Sequence, residues 1–135
     1  MDELTRLLAE RDCERLVYLY ATYADTADVR MPEIFSEDAI LHVTERLEGR
    51  EAIRASRASR PPLLMRHLCS NVVVDVLDAD HARGHCYLTA YVSPEGETEL
   101  GLPAVVGEYN DQFARTADGW KISERLFTPT LRRPA

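Results

Sequence analysis

A pair of adjacent prolines, Pro61 and Pro62, separates two parts of this chain that have different hydrophobic periodicity. Before the prolines, apolar residues recur at three- and four-residue steps. They predict a helix of about five turns with one apolar stripe, made of Cys13, Leu16, Val17, Tyr20, Ala24 and Ala27. After the prolines, the runs are typical of β-strands. Helices followed by strands predict an α+β fold with the helices on one face of a sheet.

Shorter elements are predicted from local signals. A short helix is expected at 32–35, a short strand at 40–43, and a helix at 50–55 after the turn signal Gly49. Strands are expected at 68–77, 82–92, 102–115 and 120–123, with turns at 78–80, 93–96 and 117–119. Residues 126–135 are expected to form a tail. The strands make an antiparallel meander, and a strongly curved sheet wrapped around the long helix leaves a cone-shaped cavity for a small apolar ligand.

Composition restricts the classes of protein to which the chain can belong. Its 135 residues are enough for a single domain. The net charge of −7 repels phosphate, so we expect neither nucleic acid nor an anionic membrane as a partner. No apolar run reaches membrane-spanning length, and the acidic, helical start at 1–12 is unlike a cleavable signal.

The three cysteines lack the C-x-x-C spacing of a zinc or redox site, so reduced thiols and a cytoplasmic location are expected. Cys13 falls on the apolar stripe and Cys86 lies between apolar alternates of its strand, so both should be buried. No histidines or cysteines stand at ligand spacing, and no phosphate loop or redox-cofactor fingerprint occurs, so we expect no metal and no cofactor.

Motifs along most of the chain together resemble a known family. The first half carries Tyr20-x4-Asp25-x2-Asp28, then Ile34-Phe35-Ser36-Glu37-Asp38-Ala39, then Gly49-x2-Ala52-Ile53. The second half carries Arg66-His67-x3-Asn71, then Gly107-x-Tyr109-x-Asp111-x-Phe113-x-Arg115, then Asp118-Gly119-Trp120-Lys121-Ile122-x2-Arg125. This order resembles SnoaL-like domains of the nuclear-transport-factor-like superfamily, nearest to the scytalone dehydratase and bile-acid dehydratase type. The resemblance covers about residues 12–126 and implies one cone-fold domain over 1–135, with a curved sheet, a long N-terminal helix and two shorter helices.

The resemblance also implies site residues. Asp25 and His67 match the positions of an aspartate and a histidine that act as an acid/base pair in the two dehydratases. An imidazole exchanges protons near neutral pH, and a carboxylate held against it fixes its tautomer. Tyr20 matches an active-site tyrosine and would donate a hydrogen bond to a substrate oxygen. Asn71 and Tyr91 are further candidates for substrate binding, and Tyr91 stands near a position where the relatives have a second histidine or an aspartate.

Structural interpretations remain open for each of these residues. On an ideal helix Asp25 lies roughly 120° from the centre of the apolar stripe, so periodicity does not place it inside the fold. Tyr20 lies on the stripe, where core packing is the default, and Asn71 suits a β-bulge. Asp111 and Arg125 are expected to form a cross-strand ion pair with a mainly structural role.

Two functions are therefore open. The first is a cofactor-independent lyase or isomerase, of dehydratase or polyketide cyclase type, acting on a small apolar oxygenated metabolite such as a polyketide or steroid-like compound. The second is a non-catalytic ligand-binding or assembly module of the same fold, favoured by the missing second proton-transfer group at 89–92. Because relatives pair through the sheet, a homodimer is expected in either case.

Overall fold

The computed structural model describes residues 1–93 and 96–134. The long helix α1 (Glu3–Thr26) begins at Asp2, whose carboxylate accepts a hydrogen bond from the backbone N–H of Thr5 at 2.7 Å. It ends at Ala27, whose left-handed conformation (φ 51°) stops the helix. Ala27 is exposed, so its predicted place on the apolar stripe is wrong. The buried stripe of α1 consists of Ala9, Cys13, Leu16, Val17, Tyr20 and Ala21.

Six strands form one mixed sheet in the order β2-β1-β6-β5-β4-β3. Their bounds are β1 (Phe35–His42), β2 (Arg46–Glu48), β3 (Leu64–Val76), β4 (His81–Ser93), β5 (Val105–Thr116) and β6 (Gly119–Arg132). Strands β3 to β6 are the expected antiparallel meander, and β1 adds to it in parallel with β6. A short 3₁₀ helix (Met31–Ile34) and α2 (Arg50–Ala58) accompany α1 on the inner face. The α+β fold with a mixed sheet around a long helix is confirmed.

The C-terminal segment differs from the predicted tail. It is mostly strand, because β6 continues to Arg132 and pairs with β5 as far as Val105. Apolar and polar residues do not alternate in the sequence after residue 125, although burial does alternate there, and β6 shifts its register against β5 at two points. Of the predicted turn at 93–96, residues 94 and 95 lie outside the described residues, as does Ala135 at the end of the expected tail.

The expected ion pair between Asp111 and Arg125 is confirmed and lies inside the fold. The two residues are direct partners on β5 and β6, and the guanidinium donates two hydrogen bonds, at 2.7 and 2.8 Å, to the two carboxylate oxygens. Both side chains are almost fully buried. The guanidinium carbon lies 3.8 Å from the ring centroid of Tyr109 and 4.5 Å from that of Tyr20. Burial lowers the pKa of Arg125, but the adjacent carboxylate more than offsets this and raises the pKa, so the guanidinium stays charged.

Candidate active site

Asp25 and His67, which are far apart in the sequence, meet between α1 and β3. The Nδ1 atom of His67 lies 2.6 Å from Oδ1 of Asp25. The backbone N–H of His67 also donates to the same carboxylate, at 3.0 and 3.2 Å to its two oxygens. The side chain of His67 is 16% exposed and that of Asp25 is 11% exposed. The pair is therefore shielded from bulk water and still reachable from it.

The topology explains why the backbone N–H is available. Strand β3 is an edge of the sheet, and an edge strand has N–H groups that no neighbouring strand accepts. The last turn of α1 packs beside this edge and brings Asp25 to the N–H of His67. A carboxylate near the C-terminal end of a helix is unfavourable by itself, because the helix dipole is negative there. Two donors from one residue, the ring and the main chain, offset that cost.

The hydrogen bonds also indicate which tautomer the imidazole of His67 adopts. An ionised carboxylate only accepts hydrogen bonds, so the Nδ1 atom facing Asp25 carries a hydrogen. In the neutral ring, Nε2 is then left with its lone pair. The arrangement makes His67 a base at Nε2, held in one tautomer and one orientation by Asp25.

Tyr20 lies deeper in the fold than the pair. Its ring packs edge-on against Phe35 and Tyr109, with centroids 6.0 and 5.7 Å away, and the residue is 3% exposed. Its hydroxyl accepts a hydrogen bond from Nη2 of Arg57 at 2.6 Å. Tyr20 is therefore both a core residue, as the stripe predicts, and the carrier of a buried polar group on the inner face.

Asn71 lies at an irregular point of β3. The pairing of β3 with β4 shifts register between Ser70 and Val73, and Asn71 has a φ of 54°, in the left-handed region that asparagine tolerates better than most residues. Its side chain is exposed. The structure thus gives Asn71 the bulge position that its structural interpretation predicts.

Tyr91 does not join His67. The register pairs His67 with Ala90 and Arg66 with Tyr91. Paired residues share a face and successive residues alternate, so Tyr91 projects from the opposite, outer face of the sheet. Ala90, 4% exposed, stands directly across from His67 on the inner face, where it offers no proton-transfer group.

Arg57 and Cys69 lie near the candidate residues but are not among those that the sequence predicts. Arg57 lies in the last turn of α2 among other arginines, and no sequence signal separates it from its neighbours. Cys69 follows His67 by two residues on the same face of β3, which strand alternation could have shown.

The three thiols have different environments. Burial raises the pKa of Cys13 to about 12. The interaction between the thiols of Cys69 and Cys86 lowers the pKa of Cys69, whereas that interaction and burial raise the pKa of Cys86. Cys13 and Cys86 are fully buried, as predicted, and Cys69 is partly exposed.

Two surface grooves lie away from Asp25 and His67. One of about 360 Å³ follows the outer side of α1, and one of about 240 Å³ lies on the outer face of the sheet beside Asn110 and Leu126. Within residues 1–93 and 96–134, no three metal-ligating side chains of histidine, cysteine, aspartate or glutamate converge. In the same part of the chain, no helix is long and apolar enough to span a membrane.

Comparison with solved structures returned close matches of fold. A putative scytalone dehydratase from Novosphingobium aromaticivorans has a TM-score of 0.80 at 20% identity, over 94% of this chain and 87% of that one. An NTF2-like protein with a cystatin-like fold from the same organism has a TM-score of 0.79 at 26% identity, over 96% and 92% of the two chains. A type 2 hexachlorocyclohexane dehydrochlorinase has a TM-score of 0.77 at 17% identity, over 99% and 98%.

A search of curated proteins returned no significant match. The family model described as a SnoaL-like domain matches residues 5–126, which is most of the chain and includes both Asp25 and His67. The motif order, the mixed sheet around α1 and this match agree, and the chain belongs to the SnoaL-like domain family.

Proposed function

We propose that this protein is a cofactor-independent acid/base enzyme, a lyase or isomerase, that acts on a small apolar oxygenated metabolite. The observation that carries the proposal is the contact between His67 Nδ1 and Asp25 Oδ1 at 2.6 Å, in a setting that is shielded but not sealed. Solved structures of the same fold include proteins described as a putative scytalone dehydratase and a dehydrochlorinase, and both names denote eliminations. The fold alone does not specify a reaction, so the argument rests on the pair.

The proposed chemistry begins at Nε2 of His67. This nitrogen removes a proton from a carbon next to a carbonyl, and Asp25 stabilises the imidazolium that forms. The electron pair of the broken C–H bond moves toward the carbonyl oxygen, which becomes negative, and the Tyr20 hydroxyl is the proposed donor to it. The imidazolium then gives its proton to a leaving hydroxyl, which departs as water, or to another carbon, which gives an isomer.

A proton-exchange assay tests this step without knowledge of the natural leaving group. Cyclic and bicyclic ketones, with and without a β-hydroxyl, are incubated with the protein in D₂O, and loss of the α-hydrogen signal is followed by NMR. We expect catalysed exchange that falls about 10²–10⁴-fold in His67→Ala and in Asp25→Asn. The double variant should be little worse than the poorer single variant, because residues that act as one unit are not additive.

The chain offers a matched control for this experiment. His81 and Asp78 form a second histidine–aspartate contact, with Nδ1 3.0 Å from Oδ1, but their side chains are 65% and 60% exposed. His81→Ala should leave exchange unchanged. Wild-type exchange in His67→Ala would contradict the proposed role of this residue.

One observation favours the alternative, a non-catalytic binding module of the same fold. Ala90 faces His67 where a second proton-transfer group would be useful, and Tyr91 lies on the other face. Under this alternative, the wild-type protein binds a ketone of the panel, seen as saturation transfer from protein to ligand, and catalyses exchange with none of them.

A further inference from the structure

Arg57 makes a contact that distinguishes it from the other arginines of α2. Its Nη2 donates to the hydroxyl of Tyr20 at 2.6 Å, across the space between the two helices. Arg54 instead pairs with Glu33 at 2.8 Å, and Arg50 donates to the carbonyl oxygen of Phe35 at 2.6 and 3.0 Å. Among the described residues, no carboxylate lies within 4.0 Å of the Arg57 guanidinium. Its positive charge is therefore uncompensated by a salt bridge.

Arg57 also carries a buried hydrogen-bond donor without an acceptor. Its Nε is shielded from solvent and has no partner among residues 1–93 and 96–134, and the same is true of Nη1 of Arg125. Both guanidinium groups lie against the ring of Tyr20, with their central carbons 5.4 and 4.5 Å from its centroid. Unsatisfied buried donors cost free energy, so these two donors around one tyrosine are available to a hydrogen-bond acceptor.

The contact with Arg57 determines how the Tyr20 hydroxyl can act. Because its oxygen accepts the hydrogen bond from the guanidinium, its own hydrogen is free to be donated elsewhere. In the described part of the chain this hydrogen has no acceptor. A hydroxyl that accepts a bond from a cation is polarised and becomes a stronger donor, most of all where water is excluded.

The two carboxylates of this group, Asp111 and Asp25, do not contact Arg57. Asp111 accepts two hydrogen bonds from Arg125, and Asp25 is hydrogen-bonded to His67. Only Arg57 is left without a carboxylate partner in this group. Because its guanidinium contacts the Tyr20 hydroxyl, a negatively charged ligand oxygen is favoured over a neutral one beside that hydroxyl.

We infer that Arg57 is a positioning residue that makes Tyr20 an oxyanion donor, so that the candidate site selects ligands whose oxygen is or becomes negative, such as phenolates and enolates. This inference deepens the proposed function and rests on it, because it names the class of substrate oxygen that Tyr20 would receive. It assigns to Arg57 a role through Tyr20 rather than direct proton transfer.

A pair of nearly isosteric probes tests the inference. The phenolate of 4-nitrophenol carries a negative oxygen, and 4-nitroanisole places a neutral ether oxygen at the same position. Binding is measured by the change in probe absorbance at a pH at which 4-nitrophenol is ionised. We expect the wild-type protein to bind the phenolate about tenfold or more tightly than the ether, since a hydrogen bond to a charged group contributes more than one to a neutral group.

Variants separate the positioning role from a structural one. Arg57→Gln and Tyr20→Phe should lose the preference for the phenolate, and Arg57→Lys, which keeps the charge, should recover part of it. Arg54→Gln, on the same helix, should keep the preference in full. Circular dichroism checks that each variant is folded. If Arg57→Gln does not fold, Arg57→Lys or Tyr20→Phe still tests the inference, provided that it folds.

Three results would overturn the inference: equal binding of the two probes, no binding of the phenolate, or an unchanged preference for the phenolate in Arg57→Gln. His67→Ala should keep the phenolate preference while losing proton exchange. If Arg57→Gln keeps the phenolate preference while exchange depends on His67, the oxyanion role alone is refuted. If the wild-type protein shows the phenolate preference but catalyses no exchange, the proposed function is refuted.

Discussion

Replacement of Asp111 by asparagine should be among the most destabilising single changes in this fold. The substitution keeps the shape of the side chain and removes the charge that compensates Arg125. The two side chains are 1% and 0% exposed, and the guanidinium lies against the rings of Tyr109 and Tyr20, where water cannot replace the lost carboxylate. The result is a buried cation with only a neutral acceptor.

The size of the effect follows from the burial. Breaking a buried, hydrogen-bonded ion pair by removing one partner costs about 3–5 kcal/mol. A domain of 135 residues has a total stability of about 7–20 kcal/mol. Its entropy of unfolding is about 0.3 kcal/mol/K, so the loss should lower Tm by about 11–18 °C.

Urea unfolding measures the free energy of unfolding of Asp111→Asn and of the wild type, with the fluorescence of Trp120 and far-UV circular dichroism as independent probes. The exposed pair of Asp75 and Arg83, 3.7 Å apart with side chains more than 60% exposed, is the matched control, and Asp75→Asn should change stability by less than about 1 kcal/mol. The double variant Asp111→Leu/Arg125→Met should be more stable than Asp111→Asn, because no buried charge is left unpaired. A loss below about 1 kcal/mol in Asp111→Asn would refute the reasoning.

Three further predictions concern other parts of the molecule. Iodoacetamide at mildly alkaline pH should modify Cys69 first, because its pKa is lowered and it is partly exposed, and equal labelling of Cys13 in the native protein would contradict this. The outer sheet face exposes Leu68, Val73 and Tyr87, so we expect a homodimer through it; light scattering should give twice 15.3 kDa, and Val73→Glu should give the monomer mass. Asn71→Gly should be nearly neutral because of its left-handed φ, whereas Asn71→Val should lower Tm measurably, and equal Tm values for the two variants would argue against strain at the bulge.

The sequence predicts the fold well because the hydrophobic periodicity and the residues that end helices and strands agree along most of the chain. Pro61 and Pro62 lie just before β3, and Gly49 precedes α2, where the structure gives it a φ of 92°. The pairing of Asp111 with Arg125 is also predictable, since strand alternation places both on one face. The second half of β6 is missed because its polarity does not follow its burial: the charged Arg125 is buried and the apolar Leu126 is exposed.

The site is only partly predictable, because the decisive contacts join distant elements. Asp25 lies off the apolar stripe, and it faces His67 because the end of α1 packs on the free edge of β3 rather than over the centre of the sheet. Helix periodicity carries no information about which strand is an edge. Arg57 is missed for a similar reason, since its contact is with the hydroxyl of a tyrosine 37 positions earlier.

The neighbours of His67 also restrict the stereochemistry of any reaction at this site. Ala90 stands across from the imidazole and Tyr91 projects to the other face, so neither of these β4 residues supplies a second proton-transfer group. An imidazole that works without such a group both removes the proton and delivers it, which confines the two events to one face of the substrate. Isomerisation of a β,γ-unsaturated ketone labelled with deuterium at the α-carbon should therefore carry part of the label to the γ-carbon within one turnover, measured by NMR in unlabelled water. An elimination by the same group should remove the proton and the hydroxyl from the same side, and strict anti elimination would contradict a reaction in which His67 alone transfers the proton.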